Sequence, residues 1–262
     1  MVKKQDIFNL LVRLKIKRND IVVVHSALRA VGEIDGGANA LIDALIEYLS
    51  GGVLVIPTHS WQGIVDRLYY NVYTTPTCLG ALSKVALERE DGIRSLHPTH
   101  SVKAFGKKAY ALIKGEEKTS SPTPKNSWLS KLSFKKAKIL LLGVNQNSNT
   151  FIHAVEERLN VPDRMGNDNL KITVIGYDGK EVKYPLFNGY YSKNIPKGCS
   201  EHFENYHKPL VELGAVLVDK LGNAEVRCCT TNKTYKVIKK LWKNTDYDLC
   251  ITDKEIPEKF YK

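Results

Sequence analysis

Three short stretches of the sequence hold residue types that do chemistry at spacings that let them act together. The first is TFIHAVEERL, residues 150–159. Read at about 100° per residue, Phe151, Ile152, Val155 and Leu159 fall on one side of a helix and His153 falls on the other. Glu156 and Glu157 follow at i+3 and i+4, so either carboxylate is within reach of the imidazole. A histidine beside a carboxylate gains basicity and a fixed tautomer, as a general base near neutral pH requires. The same spacing also describes an incidental ion pair on a surface helix. Asn147, Ser148 and Asn149 are N-cap candidates for this helix.

The second stretch is HSALRAVG, residues 25–32, with Gly36 and Gly37 beyond it. A strand that opens into a glycine-containing loop and a helix turns backbone N–H groups toward an anion. Arg29 adds a planar fork suited to phosphate. The pattern is neither a Walker loop nor G-x-G-x-x-G, and an ordinary strand-to-helix turn has the same composition. The third stretch is HPTHS, residues 97–101. Its two histidines resemble a metal pair, but no nearby carboxylate or cysteine pattern completes a ligand set. No metal is expected, and polar packing or ligand contacts are the favoured uses of these rings.

The flanking elements read as alternating strands and helices. IVVV at 21–24 and VLVIP at 53–57 are short β-rich runs, with an amphipathic helix between them carrying Leu41, Ile42, Leu45 and Leu49. An earlier helix presents Ile7, Leu10, Leu11 and Leu14 on one face. Residues 62–77 show no period and read as a loop. Helices are expected over 79–88 and around 107–113, and a proline-rich loop over 119–127. KILLLGV, near 138–144, is the most apolar strand and is expected to be central. Asp178-Gly179 lies between two β-rich runs, which signals a hairpin. GAVLVD, a turn at 221–223, AEVRCC and a helix ending near Trp242 follow. The pattern favours an α/β layered fold. A small hairpin region is expected in the C-terminal half. Residues 1–262 are expected to form a single domain.

Composition narrows the partners. The chain carries 39 Lys+Arg against 28 Asp+Glu, a formal net charge of +11. The basic residues are spread along the chain and no nucleic-acid reading motif accompanies them, so an anionic small molecule uses that charge better. No apolar run approaches the roughly 18 residues of a membrane span, and no cleavable leader is evident, so a cytoplasmic protein is expected. Cys78, Cys199, Cys228, Cys229 and Cys250 are odd in number and include no C-x-x-C pair. They read as reduced thiols, not as a disulfide framework or zinc site.

Taken in order, these segments resemble the aminoglycoside 3-N-acetyltransferase (antibiotic N-acetyltransferase) family. The resemblance rests on HSALRAVG at 25–32, the Gly36-Gly37 pair, IPT at 56–58, HPTHS at 97–101, LLLGV at 140–144 and NTFIHAVE at 149–156. It runs from about residue 3 to 160 and returns weakly at Gly222-Asn223-Ala224. It implies an α/β fold, a three-layer α/β/α sandwich around a mixed, mostly parallel central sheet, that uses acetyl-CoA as co-substrate. It implies that Ser26, Leu28, Arg29, His100, Ser101 and Val102 lie along the coenzyme, that His153 is the catalytic base, and that Glu156 orients it. The acetyl group would then pass directly to an amine in a ternary complex. Two positions depart from the family pattern: Ala27 replaces a serine, and Asn147 stands where aspartate is frequent.

A chain at +11 is an awkward host for a polycation. The acceptor is therefore expected to be an amino sugar, with a lean to a nucleotide-linked one. An aminoglycoside is the alternative. A covalent acetyl-cysteine route and a non-catalytic nucleic-acid or coenzyme-binding protein are the remaining readings.

Overall fold

The computed structural model describes residues 1–195, 197–245, 247–250 and 254–262, with the side chain of Val65 outside the description. Its strands are β1 (Ile21–Ser26), β2 (Val53–Pro57), β3 (Tyr69–Asn71), β4 (Gly92–Arg94), β5 (Val102–Phe105), β6 (Lys138–Leu142), β7 (Thr173–Ile175), β8 (Glu181–Val182), β9 (Val216–Leu221) and β10 (Ala224–Thr230). Its α-helices are α1 (Lys4–Arg13), α2 (Leu28–Val31), α3 (Gly37–Tyr48), α4 (Trp61–Arg67), α5 (Ala81–Glu88), α6 (Ala109–Ile113), α7 (Trp128–Lys131), α8 (Thr150–Leu159), α9 (His207–Glu212) and α10 (Thr231–Lys243).

Seven strands form one sheet in the order β4-β5-β2-β1-β6-β10-β9. The central trio β2-β1-β6 is parallel, and the pairings outside it are antiparallel. The sheet is mixed, as expected, but its parallel part is confined to these three strands. β5 follows β4 after seven residues and β10 follows β9 after two, connections too short for a parallel crossover. Alternation along the central strands builds a core on each face. Val22, Val24, Leu54, Ile56, Leu140 and Leu142 pack with α1, α3 and α5. Val23, Val55, Ile139 and Leu141 pack with α6 to α10 on the other side. The stripe Ile7, Leu10, Leu11 and Leu14 is buried on the first of these faces.

A second sheet, β3-β7-β8, contains the expected hairpin: β7 and β8 are antiparallel around Gly179, whose φ is +76°. The segment 62–77 corrects its reading as a loop. It holds most of α4 and all of β3, which pairs in parallel with β7. A three-residue strand is too short to show alternation, and its partner lies about a hundred residues away, so the pairing is a tertiary event.

Two glycines fix how the site loops meet. Gly143 ends β6 at φ +68°, and an added Cβ would lie 2.7 Å from the Ala30 side chain. Gly222 sits at φ +55°, where a Cβ would strike the Val31 carbonyl at 2.2 Å. The next residue, Asn223, donates its N–H to that carbonyl at 3.0 Å. The Gly-Asn-Ala turn therefore clamps the loop after β1 to the β9–β10 hairpin.

Candidate active site

Parallel strands deliver their C-terminal ends to one edge of the sheet, where open α/β folds bind ligands. Here β1 ends at His25-Ser26, β2 ends before Thr58-His59, and β6 runs into Gly143-Val144. Around these ends lies a cavity of about 650 Å³, lined among others by Ser26, His59, His100, His153, Phe187 and Tyr190.

The motifs bond to one another to build its walls. Ser101 Oγ donates to the Thr58 carbonyl at 2.6 Å and lies 3.2 Å from the Thr58 hydroxyl, which joins the IPT and HPTHS segments. The buried guanidinium of Arg94 donates to Thr58 O and Ser101 Oγ, and also to Val72 O and Thr75 O. His97 Nδ1 accepts N–H groups from Thr99 and His100, and its Nε2 lies 3.3 Å from the Ser121 carbonyl. That pattern requires a neutral ring with its proton on Nε2. His97 is thus a turn-builder, and His100 is the ring of this motif that lines the cavity.

Helix α8 is capped as the sequence predicts: Asn149 Oδ1 accepts the Phe151 N–H at 3.2 Å. Asn147 donates to Glu201 O and accepts from Glu204 N–H, each at 2.7 Å. An aspartate could not donate, so this departure from the family pattern has a local use. His153 lies one turn into α8. Its ring stacks on Tyr190 with centroids 4.2 Å apart and planes 16° apart, and it meets the edge of Phe203 at 4.7 Å. Its Nδ1 is buried with no hydrogen-bond partner among the described residues. The nitrogen left for the cavity is Nε2.

The two glutamates beside His153 are committed elsewhere. Glu156 is buried, accepts from Arg164 Nε at 2.7 Å and from the Tyr206 hydroxyl at 2.8 Å. Arg164 also grips Asp248 with two bonds of 2.8 Å. The expected orienting bond from Glu156 to His153 is therefore absent from the described contacts, because both Glu156 oxygens serve this ion cluster. Burial pushes the Glu156 carboxyl upward while Arg164 pulls it back. Burial opposes the Arg164 charge, but its bonds to Asp248 and Glu156 keep it protonated. Glu157 faces the other way, toward Thr123 and Tyr190.

The histidines are electrically quiet. Burial lowers His25 and His97 to about 4. His153 falls to about 3 through burial and the nearby Arg164 charge. His59 and His100, with ring centroids 4.7 Å apart, are held well below 6.5 by burial and by each other. All five are neutral at physiological pH. Among the described residues no group of His, Cys, Asp and Glu is arranged to hold a metal ion.

The coenzyme residues expected from the resemblance separate into two groups. Ser26 and His100 line the cavity, and Arg29 is exposed on α2 just beyond Ser26. Leu28 packs into the core on the α1–α3 face. The side chains of Ser101 and Val102 are buried behind the cavity, so they support it without lining it. Sequence reasoning did not single out His59, Phe187 or Tyr190. His59 had one usable signal, its place directly after a strand ending in Pro-Thr. Cys199 also lines the cavity, but burial raises its thiol to about 11. It lacks the depressed pKa of an activated nucleophile, which weighs against an acetyl-cysteine route. All five cysteines are free thiols.

A mixed sheet with a histidine-lined cavity at the ends of its parallel strands defines an α/β enzyme. The model of the family described as aminoglycoside 3-N-acetyltransferase matches residues 23–243. The chain belongs to that family, and it is an acyltransferase that takes its acetyl group from acetyl-CoA. It is 28% identical over 265 residues to the SPbeta prophage-derived aminoglycoside N(3′)-acetyltransferase-like protein YokD of Bacillus subtilis (strain 168), covering 93% of each chain. It is 26% identical over 228 residues to aminoglycoside N(3)-acetyltransferase III of Serratia marcescens, covering 77% of this chain and 82% of that one. A mutant of the aminoglycoside acetyltransferase AAC(3)-IVa, solved in complex with a gentamicin, superposes with a TM-score of 0.73 at 25% identity, covering 93% of this chain and 89% of that one. Among the described residues no helix is long and apolar enough to cross a membrane.

Proposed function

We propose that this protein, as one domain over residues 1–262, acetylates an amine of an aminoglycoside-type amino sugar with His153 as general base. The observation that carries the reading is the placement of His153: a neutral imidazole at the ends of the parallel strands, in a cavity shared with Ser26 and His100. The amine nitrogen attacks the thioester carbon, the C–S bond breaks, and coenzyme A leaves as its thiolate. His153 takes the proton lost by the amine and returns it to the departing sulfur. Ser26 and His100 flank the pantetheine arm. The exposed guanidinium of Arg29 meets the coenzyme phosphates. Leu28, Ser101 and Val102 hold that wall in shape. Glu156 serves His153 indirectly, by anchoring α8 through Arg164. The use of acetyl-CoA as donor supports a cytoplasmic site for the reaction.

A second acceptor reading has one observation behind it. Asp168 is the single carboxylate, and Lys197 the single cationic side chain, among the described residues lining the cavity. A pocket with so few carboxylates suits an acceptor of low positive charge, such as a nucleotide-linked amino sugar. The family match and the gentamicin-bound relative weigh more heavily for the aminoglycoside. Coenzyme release measured across both amine classes separates the two. Turnover of aminoglycosides is expected; turnover confined to nucleotide-linked sugars would reverse the order.

A further inference from the structure

The ring of His153 is held without a polar partner on Nδ1. Its orientation comes from packing, and Tyr190 supplies the parallel face at 4.2 Å. Tyr190 lies outside the named strands, its backbone bridged to Met165, so its side chain needs an anchor of its own. That anchor is its hydroxyl, which donates to Glu157 Oε2 at 3.2 Å and also meets the Thr123 hydroxyl. Glu157 accepts in addition from Thr123 N at 3.0 Å, from Thr123 Oγ1 at 2.9 Å and from the Ser121 hydroxyl. One carboxylate therefore ties three separate pieces of chain together: α8, the 121–123 loop and the segment around residue 190. The 121–123 loop also carries the Ser121 carbonyl beside His97 and Pro122 of the cavity wall.

We infer that Glu157 is the positioning carboxylate of this site, and that it acts on His153 through the ring of Tyr190. The inference rests on His153 being the base. Every contact that Glu157 makes here is one it accepts. A glutamine keeps the shape, but one of its two arms donates, so either the Ser121 side or the Thr123–Tyr190 side of the cradle loses its acceptor. The stacked arrangement has a second consequence during turnover. When His153 takes the amine's proton, the new charge forms over the face of an aromatic ring, which attracts it. The phenol that donates to Glu157 is kept neutral by burial and by that carboxylate, so the ring stays an uncharged face.

The test uses Glu157→Gln, Tyr190→Phe and the double variant in the full-length enzyme. Glu157→Gln is expected to lower kcat by roughly 100-fold, the scale of a small misplacement of a reacting group. KM for acetyl-CoA should stay within about threefold, because Ser26 and Arg29 lie outside the Glu157 cradle and His100 meets Tyr190 only edge-on, at 5.7 Å. Tyr190→Phe is expected to fall in the same direction by a smaller factor, since the stacked ring remains. The double variant should be no worse than Glu157→Gln alone, because the two residues act through one bond. The ring signals of His153 in the unliganded protein give the readout that is independent of turnover. They should move in Glu157→Gln, since the tyrosine ring current depends on the stacking geometry. Unchanged His153 signals with wild-type kcat would overturn the inference, as would fully additive losses in the double variant. Failure of the base assignment looks different: His153→Ala would keep turnover, while the His153 signals of the Glu157→Gln protein would still move.

Discussion

Two adjacent carboxylates on α8 lead different lives. Glu156 is sealed between Arg164 and Tyr206, on the side of the helix that faces the core. Glu157 is gathered into the polar cradle of Ser121, Thr123 and Tyr190, on the side that faces the cavity. Both are spaced to touch His153, and neither is bonded to it. The difference teaches that i+3 and i+4 spacing states what a helix permits, while partners from elsewhere in the chain decide what happens. The Glu156 side is a stability device. The Glu157 side, with its neutral rings, is a geometry device.

The comparison breaks most visibly in acid. In the unfolded chain these five histidines titrate near 6.5, whereas desolvation holds His25, His97 and His153 at about 4, 4 and 3, with His59 and His100 also well below 6.5. Below pH 6.5 the unfolded state takes up protons that the folded state refuses. Stability is therefore complete above 6.5 and is lost as the pH falls toward 4, at about 1.4 kcal/mol per pH unit for each ring. Glu116, pushed up to about 7 by burial, and Glu156, also raised by burial, act in the opposite sense, and two carboxyls do not offset five rings. Urea unfolding at stepped pH should show this decline, and a flat profile from pH 6.5 to 4.5 would contradict the neutral histidine cavity.

On the core side, Glu156→Ala leaves the buried Arg164 with one of its two carboxylate partners. The expected loss is about 3–5 kcal/mol, the usual result of breaking a buried ion pair. Glu157→Gln, measured in the same denaturation series, should lose far less. Equal losses would erase the distinction between the two sides. Tyr206→Phe removes a hydroxyl that donates to Glu156 at 2.8 Å and accepts from Trp242 Nε1 at 2.6 Å. It should cost about 1–3 kcal/mol while leaving KM for acetyl-CoA unchanged. The smallest effect belongs to Cys199→Ser, which is expected to keep kcat within about twofold because a thiol raised to about 11 is a poor nucleophile. Loss of all turnover there would revive a covalent route.

Much of this molecule was legible in its sequence. The central strands show their β-branched runs, and α8 shows its bounds and three cap candidates, of which the structure uses Asn149. The alternation of Val22, Val23 and Val24 between two cores is the pattern of a strand covered on both faces. The hairpin announced itself through Asp178-Gly179. What stayed hidden was non-local. The β3 strand has no pattern of its own and exists because β7 pairs with it. Tyr190 and Phe187 reach the cavity from a segment without periodicity. The bonds that join Thr58 to Ser101, and Glu157 to Thr123, span residues far apart in the chain. The partner of Glu156, Arg164, lies only eight residues on, but beyond the end of α8, where helical spacing no longer predicts a contact.

The central claim is that His153 takes the proton of the attacking amine. Coenzyme release with an aminoglycoside acceptor, compared between the native protein and His153→Ala, tests it most directly when acetyl-CoA affinity is measured on the same samples. Turnover is predicted to fall by at least about 100-fold with coenzyme affinity within about threefold of native. Turnover that survives the substitution intact would contradict the account.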